Sequence, residues 1–207
     1  MEIIEAKKQL ENLIGKDLRE LAYQYSISVN HKNYKNKNKG WAGLVIEKYL
    51  GLPPNSLQSP DFGDWELKLV SLNYGKRGEK KGKLKVKETM QITMINPEET
   101  KNKNFHESHV FQKLNNTLVV ARIYDSIKED YSLVHSVTYF DLSNPHIYKQ
   151  VEIDFNNIKN TIIDKGFDAL CGKMGKFIQP RTKGKGHGST SRAFYARTQF
   201  VEYILGI

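Results

Sequence analysis

From Trp65 to Val70 the chain alternates with a period of two, placing Trp65, Leu67 and Leu69 on one side and Glu66, Lys68 and Val70 on the other. This is the period of a strand, so the chain must build a sheet in which a carboxylate and an ammonium share a face while the apolar set faces a core. Pro60 and Asp61 come just before, where the chain turns into that strand. Upstream, Trp41, Leu44, Val45 and Tyr49 fall at helical spacing and Gly51 stands as a stop, so a helix precedes the strand.

The charges are placed for chemistry. A carboxylate at the strand entrance and a second on the strand can hold a divalent cation against a phosphate, and a lysine two residues on keeps an ammonium near an attacking water. On this reading Asp61 and Glu66 are metal ligands and Lys68 orients the water. Hard Mg2+ suits such oxygen ligands. The bland alternative is a solvated strand edge, since short runs of D, E and K arise by chance in a lysine-rich chain. The order Pro60-Asp61, then Glu66-Leu67-Lys68, is the PD-(D/E)xK nuclease pattern.

Composition narrows the partners. With 32 Lys and Arg against 23 Asp and Glu, the formal charge is +9 and the pI near 9.4, which favours a polyanion without naming it. Solubility, RNA, anionic lipid and DNA all fit such a surface. The 207 residues, 39% hydrophobic, suit one self-sufficient domain over 1–207. Cys171 is alone and cannot form an internal disulfide, which fits a reducing cytoplasm. The N-terminal MEIIEAKKQLENLIGKDLRE is charged throughout, so neither a signal peptide nor a membrane span is expected.

Along the chain, Ile3, Ala6, Leu10, Leu13 and Ile14 predict a first helix, and Asp17 a cap for a second through Leu18, Leu21, Ala22 and Tyr25. HKNYKNKNK, residues 31 to 39, is a solvated basic loop whose lysines, Lys39 among them, can add phosphate contacts. LNYGKRGEKKGKLK reads as a hairpin-like connection. In ETMQITMI a strand is expected with Met90, Ile92 and Met94 on one side and Gln91, Thr93 and Ile95 on the other. Strands are also expected at 118–124 and 133–142. Ser143-Asn144-Pro145 starts a helix carrying Val151, Phe155, Ile158, Ile162 and Ile163, which Gly166 ends. GKFIQPRTKGKGHGSTSRAFYART reads as strand, basic glycine loop and strand, before a closing helix with Phe200, Tyr203 and Ile204. His106 and His109 are three apart, but lack the second cluster that zinc spacing needs. GKGHG lacks the GK[ST] ending of a nucleotide loop, and no GxSxG elbow is present.

KGWAGLVIEKYLG followed by DF and WELK resembles the MutH-like endonucleases, the mismatch-repair endonuclease and its related type II restriction enzymes. The resemblance implies an α/β fold with a restriction-endonuclease-like mixed central sheet flanked by helices. It implies that Glu47 completes the acidic cluster from its helix and that Lys113, in ESHVFQKL, is a further active-site lysine. Glu88 in KETMQI stands at a matching position. GKFIQPRTKG and RAFYARTQF resemble late DNA-binding segments, which implicates Arg181, Lys183, Arg192 and Tyr195. The implied activity is Mg2+-dependent, sequence-specific cutting of double-stranded DNA at a GATC-like target, by a monomer or homodimer with a cognate methyltransferase in a restriction-modification system. The alternatives are a mismatch-repair nickase and a noncatalytic DNA-binding module of the same fold.

Overall fold

The computed structural model describes residues 1–29, 38, 40–51, 60, 63–76, 78, 81–124, 131–183 and 190–207. Three helices come first: α1 (Ile3–Glu11), α2 (Leu18–Gln24) and α3 (Trp41–Tyr49). Asp17 caps α2 as expected, its Oδ1 accepting from the Arg19 amide at 2.9 Å, and it also accepts from Ser132 N at 3.0 Å. That second bond ties the helical layer to the sheet below.

The central sheet contains β1 (Glu66–Tyr74), β2 (Leu84–Val86), β4 (Thr117–Tyr124) and β5 (Ser132–Phe140), in the order β2-β1-β4-β5. It is mixed: β1 runs parallel to β4, and the other pairings are antiparallel. Between β2 and β4 lie β3 (Met90–Met94), α4 (Pro97–Asn102), a 3-10 turn at Phe105–Glu107 and α5 (His109–Leu114). After β5 comes α6 (Pro145–Lys165), which starts at Pro145 under an Asn144 cap and stops at Gly166, whose φ of 83° favours glycine. Then β6 (Ile178–Thr182), β7 (Arg192–Ala196) and α7 (Thr198–Leu205) close the described chain.

A second sheet stands beside the first, antiparallel, in the order β3-β7-β6. The expected alternation in β3 does not run through. A register shift between Gln91 and Thr93 breaks it, so Ile92, Thr93 and Ile95 are all buried while Met94 is only half-buried. An extra residue in one strand rotates the side chains beyond it, which local patterning cannot show.

Apolar packing lies on both faces of the central sheet. Under α1, α2 and α3, one core gathers Leu10, Leu18, Trp41, Val45, Ile46, Trp65, Leu118 and Val120. On the other face α6, α7 and the second sheet enclose Val70, Leu72, Val119, Phe155, Ile158, Phe194 and Phe200. Strand β1 therefore differs from its expected half-buried form. Leu67 and Leu69 are only half-buried, whereas Val70 and Leu72, on the face of Glu66, are buried. Helix α3 likewise buries Trp41, Ala42, Val45 and Ile46 and leaves Leu44 and Tyr49 partly exposed. Among the described residues no helix is long and apolar enough to cross a membrane.

Candidate active site

The centre of the site is made by a parallel register. Glu66 pairs with Thr117, and the Glu66 amide donates to Asn116 O at 2.9 Å. Asn116 Nδ2 in turn donates to Asp64 O at 2.9 Å, so the entrance of β1 is stitched to the start of β4. Helix α5 ends immediately before, and the Thr117 hydroxyl donates to Lys113 O. Lys113 is thereby carried to the base of Glu66.

Glu66 is fully buried at 0% exposure and Lys113 is 6% exposed. Lys113 Nζ donates to both carboxylate oxygens, at 2.9 and 3.0 Å. Lys68, two residues along the strand, also donates to Glu66 Oε1, and its side chain is 20% exposed. A buried carboxylate needs opposing charge and hydrogen-bond donors to remain ionised. The two ammonium groups meet that need, one from below and one from the open side. Its oxygens suit a hard cation in the same place.

Strand β2 pairs with β1 only at Leu72, Asn73 and Tyr74. Beside the earlier part of β1 lies a cleft of about 670 Å³, lined by Gly43, Leu44 and Glu47 of α3, Lys68 to Ser71 of β1, Glu88 to Gln91, and Lys183. Leu44 is thus a wall of the cleft and not core, because α3 turns its Trp41–Val45 side to the sheet. Glu47 sits one residue past the buried stripe, half-exposed and facing the same space as Lys68.

The second sheet supplies the opposite wall. Gln91 pairs with Tyr195, Tyr195 with Gln179, and Arg181 with Ala193, so these side chains share one face. The Tyr195 hydroxyl donates to Gln91 Oε1 at 3.4 Å. Burial raises the Tyr195 pKa above the usual 10, Arg181 opposes that, and Glu88 adds to it. The Arg181 guanidinium donates to Thr89 Oγ1 at 2.6 Å and lies 5.6 Å over the Tyr195 ring.

Of the expected site residues, Glu66, Lys68 and Lys113 are in contact, and Glu47 and Lys183 line the same cleft as Lys68. Arg181 and Tyr195 flank it. Arg192 turns elsewhere: its guanidinium donates to Asp168 O at 3.3 Å, lies 5.6 Å over Phe167, and leaves the side chain 17% exposed. Asp61 and Lys39 lie outside the described residues. Sequence reading passed over Gln91, Thr89 and Leu44, which carry no charge and sit in segments that read as scaffold. The two histidines are engaged elsewhere: His109 meets Glu99 at 3.2 Å and Gln112 at 3.0 Å, and the His106 ring packs on Phe111.

A second cleft of about 790 Å³ opens on the far side of α5, lined by Asp64, Phe111, Gln112, Asn115, Asn116, Tyr139, Asp141 and Tyr148 among others. Among the described residues its lining carries no cationic side chain. The Ser143 hydroxyl and amide hold Asp141 below the usual carboxylate range, and burial and Asp141 push Tyr139 above the usual tyrosine value.

Comparison with known proteins adds a family. A family model described as the DNA mismatch repair enzyme MutH matches residues 50–158. That span contains Asp61, Glu66, Lys68 and Lys113, begins after Glu47, and ends before β6 and β7. The type II restriction enzyme Sau3AI of Staphylococcus aureus is 27% identical over 187 residues, 88% of this chain and 36% of its own. The DNA mismatch repair protein MutH of Vibrio campbellii is 27% identical over 218 residues, 97% of this chain and 92% of that one. Its counterpart in Vibrio parahaemolyticus is 25% identical over 217 residues, with the same coverage. This chain therefore spans about a third of the restriction enzyme and most of each repair protein. Among solved structures, the restriction endonuclease MvaI with its cognate DNA aligns over 90% of this chain and 94% of its own, at 14% identity and a TM-score of 0.38.

Proposed function

The chain belongs to the family of the DNA mismatch repair enzyme MutH, and from that premise we propose that it is a Mg2+-dependent endonuclease of one domain that cuts double-stranded DNA at a specific sequence, as a type II restriction enzyme does. The observation that carries this reading is Glu66, a fully buried carboxylate bracketed by Lys113 and by Lys68, which lines a cleft. A solvated strand edge would leave it in water. Asp61 and Glu66 would hold the cation, which would supply positive charge against the phosphate oxygens. Lys68 Nζ orients the attacking water and faces the charge that grows on the phosphate. Lys113, bonded to both of its oxygens, aims Glu66, and Glu47 completes the acidic set from α3. Water adds to phosphorus and the bond to the 3′ oxygen breaks, leaving a 5′-phosphate and a 3′-hydroxyl.

Lys183 and Arg181, with Tyr195, face the duplex from the second sheet, and Lys39 adds a phosphate contact. Arg192 supports the start of β7, since its guanidinium is taken by the Phe167–Asp168 turn. A GATC-like target, a cognate methyltransferase and a monomeric or homodimeric state complete the proposal. The mismatch-repair reading has its own support, because the match to the two Vibrio proteins runs over 92% of their length. A noncatalytic module is disfavoured by the intact Asp61, Glu66 and Lys68.

Supercoiled plasmid with and without Mg2+ tests the proposal. Linear product with uniform ends, mapped on methylated and unmethylated DNA, is the expected result. Open circles alone favour the nickase. Asp61→Ala, Glu66→Ala and Lys68→Ala should bind and fail to cut, and wild-type cutting by any of them overturns that residue's assignment.

A further inference from the structure

The wall of the cleft opposite Lys68 holds a polar side chain that the hydrolytic chemistry leaves unused. Gln91 stands on β3 directly before the register shift, a feature that re-aims side chains beside sites. Its Oε1 receives the Tyr195 hydroxyl at 3.4 Å, and its Nε2 faces Met94 Sδ at 4.0 Å. Both lengths are long for a hydrogen bond. A carboxamide offers two acceptor sites and two donors, so beyond these two contacts one acceptor site and one donor remain on a residue that lines the cleft.

Its neighbours on the same face are differently placed. Gln179 is 6% exposed, beneath Gly172. Arg181 is bonded to Thr89 and laid over Tyr195. The Tyr195 hydroxyl donates to Gln91 Oε1 while Gln91 Nε2 turns to Met94 Sδ, so the two ends of the amide have different neighbours. That leaves an acceptor and a donor side by side, the pattern that complements the N6 and N7 edge of adenine.

We propose that Gln91 reads an adenine through the major groove of the duplex held in this cleft, Oε1 accepting from N6 and Nε2 donating to N7. The inference rests on the DNA-cutting reading above. It names Gln91 as a specificity-determining residue and Tyr195 as the residue that orients it.

The test replaces each adenine of the mapped site, singly, with 7-deazaadenine, which pairs normally and keeps N6 but lacks the N7 acceptor. Wild type, Gln91→Leu and Gln91→Glu are compared by kcat/KM with Mg2+. At one position the analogue should slow the wild type about tenfold and leave both variants unaffected, because neither can donate to N7. Wild-type indifference at every adenine, a site without adenine, or an equal loss in wild type and variants overturns the proposal. If Gln91→Leu does not fold, Gln91→Glu carries the comparison. Failure of the nuclease reading looks different: the wild type binds duplex without cutting it, and the comparison, made by binding anisotropy on a duplex selected for tight binding, then decides Gln91 on its own.

Discussion

At Glu66 the charges of the site are also its stability. Lys113 is buried with Glu66 and bonded to both of its oxygens. Breaking a buried pair by removing one partner leaves an uncompensated charge, at a cost of about 3–5 kcal/mol. Lys113→Met should therefore lower the melting temperature strongly in EDTA, and Mg2+ should restore more of it than in the wild type. Equal stabilisation of both proteins by Mg2+ would mean that Lys113 and the cation do not share Glu66. Lys68→Met should cost less, since its side chain reaches solvent. Tyr195 has a pH consequence of definite sign. Its folded pKa is raised, so its contribution is full below the unfolded value near 10 and is lost as pH rises through the folded value. Tyr195→Phe should flatten the alkaline limb of the stability curve above about pH 10, read by melting across pH; an unchanged limb would return that limb to other groups.

The stretch leading into β6 is held from two sides. Asp154 of α6, 1% exposed, accepts from Lys176, Phe177 and Ile178 amides at 2.6 to 3.0 Å, and from Gln150 Nε2. From α7's cap, Arg197 donates to Gly172, Met174 and Gly175 carbonyls. Gly175 has φ of 72°, and a Cβ there would stand 1.9 Å from Ile178 O. Three consecutive amides, that of Ile178 buried and that of Phe177 half-buried, lose their acceptor in Asp154→Ala, at about 1–3 kcal/mol for a buried one, so this variant should lose more stability than Arg197→Met, whose carbonyls tolerate under-satisfaction better. Denaturant midpoints measure the order, and the reverse order would show that the arginine is the main anchor. Because β6 carries Arg181 three residues after Ile178, Asp154→Asn should also weaken cognate more than noncognate binding.

Over the whole molecule, the proposed function assigns the charge of +9 to phosphate contacts and the second sheet to base reading. Lys76, exposed past β1, should contribute only to the former. Lys76→Ala is expected to weaken all sequences alike and lower the salt slope by about one, whereas Lys183→Ala, altering the cleft wall, should reorder the preferred sites. Uniform weakening by both would move base reading to residues such as Gln91. The two sheets meet through a shared apolar core, with Val70 and Leu72 of one and Ile92 and Phe194 of the other. That contact fixes how Lys68 of the first sheet and Gln91 of the second face the same cleft.

What lay in the sequence is what neighbouring residues decide. The Asp17 and Asn144 caps and the Gly166 stop are local steric and hydrogen-bond preferences, and they reappear where expected; a strand forms at Glu66–Tyr74 as the period predicts, but its burial does not alternate. So was the order of Asp61, Glu66 and Lys68, because their spacing survives any packing. Lys113 was legible only through likeness to a family: in a chain with 32 Lys and Arg, one more lysine carries no signal. Tertiary structure brought it to Glu66 from 47 residues away through the pairing of β1 with β4. It also placed β3 in a separate sheet, turned Arg192 onto the Phe167–Asp168 turn, and set Gln91 beside Tyr195 in the wall of the cleft. These depend on which surfaces bury each other across long separations, and that choice is made by the free energy of the whole fold.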